Sequence, residues 1–204
     1  MVYRDNSMVE TITVDRLKSS DKPELLELFT QAFKEHPLIP AVGAKPEATR
    51  PVMNAFIDFF GSTESSLLYG IRKDNKLVCG SVSLDSTVER PRPALIGFIF
   101  SLAQTLGWRI VREFEVVVRE EPKYEDRYLE LVLFGTLPAY QRQGLGRKML
   151  NFLYNEAKKG GYKGVILVAD RNSPAFKLYL NEGFSVDRVF IMGGATLCWM
   201  RLVF

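Results

Sequence analysis

Apolar residues recur at helical spacing in several stretches of the chain. The stretch SSDKPELLELFTQAFKEHP, with Ser20 or Asp21 as cap, has an apolar side made of Leu25, Leu28, Phe29, Ala32 and Phe33. A second stretch covers 47–61, and a third begins after QRQGLG and stops at Gly160-Gly161. The stretch NSPAFKLYLNEGF offers Ser173 as N-cap and Pro174 as the first helical residue. These patterns predict four helices that each bury one face.

Runs of β-favouring residues separate these helices. TITV (11–14) predicts a first strand, and 66–84 predicts a hairpin that turns at Asp74-Asn75. Four further strands are predicted by the apolar runs at 127–137, 164–169, 184–191 and 196–203. The order of elements predicts an α/β fold, with a mixed and twisted sheet of about seven strands and helices on both faces.

A helical insertion interrupts the strand pattern. Residues 85–93 contain two prolines and predict a linker, 94–120 predicts one or two helices, and strands resume at 127. We therefore expect one domain over 1–204 with an insertion at about 90–122. The apolar run 94–108 is shorter than the roughly 20 residues that a membrane span needs, so no membrane partner is expected. The insertion is expected to cover a pocket or to form a homodimer interface, and the sequence leaves both open.

Composition argues against several other function classes. The 27 basic residues exceed the 24 acidic ones by only three and are spread along the chain, so no nucleic-acid partner is expected. Cys79 and Cys198 lie in predicted strands and are expected to be buried thiols. With a single histidine and two separated cysteines, no metal site is predicted. The first ten residues lack the apolar core of a signal peptide, which predicts a cytoplasmic location.

The sequence QRQGLG (141–146) joins a predicted strand to a predicted helix. Backbone N–H groups at a helix N-terminus carry partial positive charge, and glycine allows a ligand to approach them closely. A phosphate or pyrophosphate would suit such a loop, with Arg142 and Arg147 beside it. A plain strand-to-helix turn explains the same residues equally well. No Gly-Lys-Ser/Thr follows and the third glycine of a dinucleotide fingerprint is missing, so neither motif applies.

Three motifs together resemble the GNAT superfamily of acetyl-CoA-dependent N-acetyltransferases. YLELVLFGTLPAYQRQGLG is similar to the fourth strand and acyl-CoA loop of that family, and GVILVA is similar to its fifth strand. NSPAFKLYLNEGF is similar to its Asn-x-x-Ala-x-x-x-Tyr-x-x-x-Gly-Phe element. A weaker likeness links the chain to puromycin N-acetyltransferase and its uncharacterised relatives. It is carried by AF followed by HP, by the insertion and by TLC near the end.

This resemblance implies transfer of an acetyl group from acetyl-CoA, as co-substrate, to a primary amine of a small molecule. It implies direct attack in a ternary complex. Loop amides would hold the pyrophosphate, the strand before the loop would part from its neighbour to pair with the pantetheine arm, and Asn172 would contact CoA or brace the fifth strand. The implied cofactor-binding residues are Phe134, Gly135, Thr136, Arg142, Gln143, Gly144, Leu145, Gly146, Arg147, Asn172, Phe176 and Tyr179. The alternatives are acetylation of a protein lysine or N-terminus, and a non-catalytic acyl-CoA-binding regulator.

Tyr179 and Glu130 are the predicted catalytic residues. The resemblance places Tyr179 beside the thioester sulfur, where its phenol would protonate the leaving thiolate; packing in the core is the alternative. Period-two alternation places Glu130, Val132, Phe134 and Thr136 on one face of a strand, where Glu130 would serve as the base. Alternatively, Glu130 faces solvent or pairs with Arg127.

The acceptor site is the least defined part of the prediction. His36 follows the first predicted helix, where this family builds its acceptor site, and its titration range suits a base. A histidine before a proline is also common at a helix end. No cysteine nucleophile is evident near the site, which disfavours a ping-pong route. Aromatic residues in the first half of the chain are expected mainly in the core, and some to line a pocket for an apolar or aromatic amine.

Overall fold

The computed structural model of the protein describes residues 12–36, 45–62, 65–88 and 92–204. Seven strands form one sheet in the order β1-β2-β3-β4-β5-β7-β6. The strands are β1 (Val14–Arg16), β2 (Leu67–Lys73), β3 (Lys76–Asp85), β4 (Leu129–Thr136), β5 (Gly164–Asp170), β6 (Ser185–Met192) and β7 (Ala195–Val203). The α-helices are α1 (Lys22–Phe33), α2 (Thr49–Phe60), α3 (Arg92–Leu106), α4 (Arg109–Arg119), α5 (Leu145–Lys159) and α6 (Pro174–Asn181). The predicted α/β fold with a seven-stranded mixed sheet is confirmed.

The hairpin between β2 and β3 turns where the sequence predicted. Asp74 and Asn75 both have positive φ, 48° and 61°, as the tight turns of hairpins require. The first strand was placed too early, because β1 begins at Val14 and residue 11 lies outside the described residues. Asp21 precedes α1 but its side chain does not cap the helix. Its carboxylate accepts instead from the Lys18 amide at 2.7 Å and from Arg72 at 2.9 Å.

Helix α1 crosses one face of the sheet, called the front face below. A Cβ on Gly80 of β3 would meet the Leu25 side chain of α1 at 2.7 Å and force it to shift, so glycine suits this close contact. One strand further, a Cβ on Gly135 of β4 would meet Ala32 at 3.1 Å. Gly80 and Gly135 are register partners. The helix therefore passes over β3 first and β4 second as it runs toward its C-terminus.

Helix α5 covers the opposite, back face of the sheet. Ser81 adjoins Gly80 in β3 and so points the other way, and its hydroxyl lies 3.8 Å from Met149 Sδ of α5. The inner side of α5 is fully buried and comprises Leu145, Met149, Leu150, Leu153 and Ala157. Helix α6 packs on the same face, because Tyr179 lies beside Phe134, whose register partner is Ser81. The back face thus carries the two helices that follow the glycine loop and β5.

Two helices occupy the region between β3 and β4 where an insertion was predicted. β3 continues to Asp85, and α3 begins at Arg92, so the predicted linker is shorter than expected; residues 89–91 lie outside the described part of the chain. Phe98 of α3 sits in an aromatic cluster, 4.5 to 5.5 Å from the rings of Phe56, Phe59, Phe60 and Phe114. Val116 and Val117 of α4 pack on an apolar cluster of β6 and β7 that includes Phe190 and Trp199. In the residues that the structure describes, no helix is long and apolar enough to cross a membrane.

Candidate functional site

Strands β4 and β5 part from one another in the middle of the sheet. Their parallel pairing covers only Leu129–Leu131 of β4 and Val165–Leu167 of β5. Residues 133–136 of β4 remain paired with β3, and residues 168–170 of β5 remain paired with β7. The gap between these two segments is called the wedge below. Backbone groups that line the wedge are available to a ligand with amide groups of its own.

A β-bulge in β4 changes which side chains share a face. Val82 pairs with Leu133 and Ser83 pairs with Leu131, which leaves Val132 as an extra residue. The predicted alternation from Glu130 to Thr136 is therefore wrong. Glu130 pairs with Leu84, whereas Phe134 pairs with Ser81, and these two β3 residues, three apart, face opposite sides. Glu130 faces the front, while Phe134 and Thr136 face the back. Arg127 pairs with Asp85.

The loop before α5 presents a set of unpaired backbone amides. The first helical hydrogen bond runs from the Lys148 amide to the Gly144 carbonyl at 3.0 Å. Within the described part of the chain, no acceptor contacts the amides of residues 143–147. Gly144 has φ of 79°, and no atom lies within 4 Å of where its Cβ would be. This left-handed glycine turns the chain so that successive amides converge outward at the helix N-terminus.

The arginines beside this loop differ in their surroundings. The Arg147 guanidinium bonds to Glu182 after α6 at 2.7 Å, so its charge is already balanced. Arg142 is exposed and has φ of 60°. The loop is tied to the end of β4, because the Gln141 side chain donates to the Thr136 carbonyl at 3.1 Å. The Arg147–Glu182 pair could not be predicted from the sequence, because it depends on the packing of α5 against α6.

Tyr179 lies on the buried side of α6, against the back of β4. Its ring is 6.5 Å from Phe134 and 5.5 Å from Phe184. Burial raises the pKa of the Tyr179 phenol well above its usual value, with smaller contributions from Tyr154 and Cys79. The helix starts as the sequence predicted, because the Phe176 amide donates to Ser173 Oγ at 3.2 Å and Pro174 is first. Asn172 is exposed, and its amide donates to the buried Asp170 carboxylate at 2.8 Å.

Cys79 lies nearer to this site than the sequence suggested. It is the register partner of Thr136, whose hydroxyl donates to Cys79 Sγ at 3.3 Å. The prediction concerned a cysteine nucleophile, and the burial of this thiol argues against that role. Burial raises the pKa of the Cys79 thiol to about 11, and the hydrogen bond from Thr136 only partly offsets this. A fully buried thiol with such a pKa is a poor nucleophile. Its proximity to Tyr179 could be found only from the strand register.

His36 and Asp170 lie on the front side at the open end of the wedge. The His36 amide bonds to the Phe33 carbonyl at 3.0 Å, and its ring is 5.2 Å from that of Phe33. Burial lowers the pKa of the imidazole, and the carboxylate of Asp170 acts against this. Asp170 ends β5 and is only 2% exposed. The residues after His36, in which the acceptor loop was predicted, lie outside the described residues through 44.

The family of the chain follows from comparison with known proteins. The model of the GNAT acetyltransferase family matches residues 23–184. The chain belongs to the GNAT acetyltransferase family. It is thus an acetyl-CoA-dependent acetyltransferase fold, and acetyl-CoA is its co-substrate. No curated protein sequence matches this GNAT chain significantly.

Several solved structures share this fold at low sequence identity. Arylalkylamine N-acetyltransferase 2 from Aedes aegypti has a TM-score of 0.69 at 12% identity, over 95% of this chain and 99% of that one. The Corynebacterium glutamicum histone acetyltransferase HPA2-related protein has a TM-score of 0.65 at 18% identity, over 93% and 94%. PaiA N-acetyltransferase from Thermoplasma acidophilum, solved with coenzyme A, has a TM-score of 0.59 at 16% identity, over 95% and 99%. At these identities the matches concern the fold alone.

The residues of this GNAT chain fit acetyl-CoA. The free amides of residues 143–147 and the open space at Gly144 suit a pyrophosphate. The unpaired backbone of the wedge suits the amide groups of a pantetheine arm. Sequence reasoning found both of these features but missed Asp170. Its position at the carboxyl end of a buried strand was the available signal, since ligands gather at such ends in α/β sheets.

Proposed function

We propose that this GNAT enzyme transfers an acetyl group from acetyl-CoA to the primary amine of a small, apolar or aromatic molecule, by direct attack in a ternary complex. The observation that carries the proposal is the wedge, flanked by the amide-rich loop on one side and by Tyr179 behind it. Acetyl-CoA, when bound, supplies an acetyl thioester. The remaining steps of the proposal concern what the side chains and amides of this chain do.

The amides of Gln143, Gly144, Leu145, Gly146 and Arg147 would hold the pyrophosphate. Arg142 would add charge from the exposed side of the loop. The backbone of Phe134–Thr136 would pair with the pantetheine arm and direct an amide at the carbonyl oxygen, which is usually a large contribution in acyl transfer. Phe176 and Asn172 would contact the cofactor from α6 and from the end of β5.

Tyr179 would donate to the leaving sulfur from the back of the sheet. Its raised pKa keeps the phenol protonated at any working pH, so a proton is available until the sulfur carries negative charge. Glu130 would accept a proton from the amine. The bulge supports this division, because it places Glu130 on the front and Phe134, beside Tyr179, on the back. Acid and base would then act from opposite faces of the sheet.

A small acceptor is supported by the cover on the front face. Helix α4 packs on β6 and β7, and α1 crosses β3 and β4, so the front of the wedge lies between two helical walls. The aromatic cluster around Phe98 joins α2, α3 and α4 beside it. These largely apolar surroundings favour a small amine over a protein chain. The insertion would then serve as a cover rather than as a dimer interface.

Two measurements test this proposal. A thermal melt with saturating acetyl-CoA, against ATP and NAD as controls, should show stabilisation by acetyl-CoA alone, about 2.7 kcal/mol at roughly 100 times its dissociation constant. Thiol release should then be followed with 2-phenylethylamine, tryptamine, a peptide beginning with alanine and a lysine-containing peptide. Turnover of the small amines is expected. Turnover of the peptides alone would favour a protein acetyltransferase, and binding without turnover would favour a regulator.

A further inference from the structure

Acetylation of an amine leaves two protons to remove. The acceptor arrives as an ammonium ion, loses one proton to become a nucleophile and a second as the amide forms. The leaving sulfur takes back only one, which Tyr179 would supply under the proposed function. Glu130 accounts for one of the two nitrogen protons. A second proton acceptor on the front face would complete the proton balance. The need for this second acceptor rests on the proposed function.

The path of α1 places its end over the wedge. The helix passes over Gly80 of β3 through Leu25, and over Gly135 of β4 through Ala32. The next turn carries the chain to His36, beyond β4 in the direction of β5. At this level the two strands have separated, and Asp170 is the last residue of β5. The end of α1 and the end of β5 therefore lie at the same open end of the wedge, close enough for the Asp170 charge to act on His36.

Hydrogen bonds hold Asp170 in place at this end of the wedge. Its Oδ1 accepts from the Asn172 amide at 2.8 Å, and its carbonyl accepts from the Ser173 hydroxyl at 2.8 Å. A carboxylate with 2% exposure is costly unless it has partners, and one backbone amide satisfies only part of its capacity. An imidazole nearby supplies a further donor. The field of the Asp170 carboxylate reaches His36 and favours its protonated form.

We infer that His36, positioned by Asp170, takes the first proton from the acceptor ammonium at the front of the wedge. The proton moves from the amine nitrogen to the imidazole, leaving a neutral amine and an imidazolium beside the Asp170 carboxylate, and then passes to solvent. Burial lowers the pKa of half-buried His36, which favours the neutral form that can accept this proton. Lys34 and Glu35 adjoin His36 on the exposed end of α1, and Asp170 faces it from β5.

The single histidine allows a direct test that needs no acceptor. The chain contains one histidine, so ¹⁵N-histidine labelling gives one imidazole whose titration is read by NMR without assignment. We expect a pKa below that of free histidine in the wild type, and a further fall of about half a unit or more in Asp170→Asn. Glu35→Gln is the matched control and should move the pKa by less than about 0.2. An unchanged pKa in Asp170→Asn would overturn the pairing.

The pH dependence of turnover tests the catalytic role. With whichever amine the wild type acetylates, His36→Gln should lower turnover at least about tenfold and remove the acidic limb of the profile. Asp170→Asn should lower turnover and move that limb to lower pH, a shift that a purely structural role would not produce. A profile unchanged by His36→Gln in an active enzyme overturns this inference alone. A wild type that binds acetyl-CoA and acetylates no amine overturns the proposed function and the role of His36 with it.

Discussion

Arg147 Nε lies 2.7 Å from Glu182 Oε1, and this contact joins the first turn of α5 to the end of α6. The two helices flank the wedge from behind, so the pair fixes the amide-rich loop relative to Tyr179. It also makes the two arginines beside the loop differ in their availability to a ligand. The Arg147 guanidinium is occupied by a carboxylate of its own chain, whereas Arg142 is exposed to an arriving anion.

We therefore expect Arg142→Ala to weaken acetyl-CoA binding more than Arg147→Ala does. Loss of one charge-assisted contact at an exposed site corresponds to about 1 kcal/mol, or roughly fivefold in the dissociation constant. Arg147→Ala should change it by less than about twofold, because the backbone amide remains. Isothermal titration calorimetry with acetyl-CoA measures both. The opposite order would show that Arg147 leaves Glu182 to bind the cofactor.

The loop itself is tested by Gly144→Val. Valine is strained at φ of 79°, and its side chain would occupy the open space in front of the free amides. Acetyl-CoA affinity should fall at least about tenfold. Gly161→Val is the matched control, because Gly161 also has positive φ, 72°, with open space at its Cβ, but lies at the other end of α5. That variant should lose comparable stability and keep its affinity.

Tyr179→Phe isolates the proton donor. Turnover should fall at least about tenfold, or 1.4 kcal/mol of barrier, while acetyl-CoA affinity stays within about twofold. Tyr154→Phe serves as the control, because the Tyr154 hydroxyl is buried without a partner among the described residues and its removal should not destabilise the fold. Stopped-flow thiol release and calorimetry separate the two quantities. Equal turnover in wild type and Tyr179→Phe would remove the phenol from the mechanism.

Experiments on Cys79 distinguish the ternary-complex route from the ping-pong route. With its pKa raised to about 11, the thiol is almost wholly protonated near neutral pH, and it is fully buried. Cys79→Ala should keep turnover within about threefold. Intact-mass analysis after incubation with acetyl-CoA should find no acetylated protein. An acetyl group on Cys79, together with loss of turnover in the variant, would establish a covalent route.

Ionisation of Asp85 should make the free energy of unfolding depend on pH. Burial alone would raise its pKa, but hydrogen bonds from Thr87 and the charge of Arg127 outweigh this and lower it. A carboxylate whose pKa is lowered by folding stabilises the protein above its unfolded pKa, and that contribution is lost as pH falls below about 3.8. Urea melts at neutral pH and near pH 3 should therefore differ less for Asp85→Asn than for wild type. Asp74→Asn, in the exposed hairpin turn, should behave like wild type.

Sequence reasoning succeeded where the determinants are local. The start of α6 is determined by Ser173 and Pro174, which lie next to each other at that start. The hairpin turn is likewise determined by the adjacent residues Asp74 and Asn75. The glycine loop was likewise evident, because a left-handed residue before a helix has few alternatives to glycine.

It failed where a feature depends on distant segments. The bulge at Val132 arises from the register of β4 on β3, and nothing in β4 alone announces it. That one extra residue moved Glu130 to the other face from Thr136. The contact of Thr136 with Cys79 joins residues 57 apart in sequence, and that of Arg147 with Glu182 joins residues 35 apart. Periodicity within one element carries no information about such pairs.

Because β4 and β5 separate, the sheet lacks part of its hydrogen bonding at its centre rather than at its edge. Under the proposed function, the pantetheine arm of acetyl-CoA would pair with the separated backbone and complete the sheet. Because a ligand that binds only the folded state stabilises it by mass action, the folded fraction of the protein rises and falls with the concentration of that metabolite. Supply of acetyl-CoA would thus set not only how fast the enzyme works but also how much of it persists.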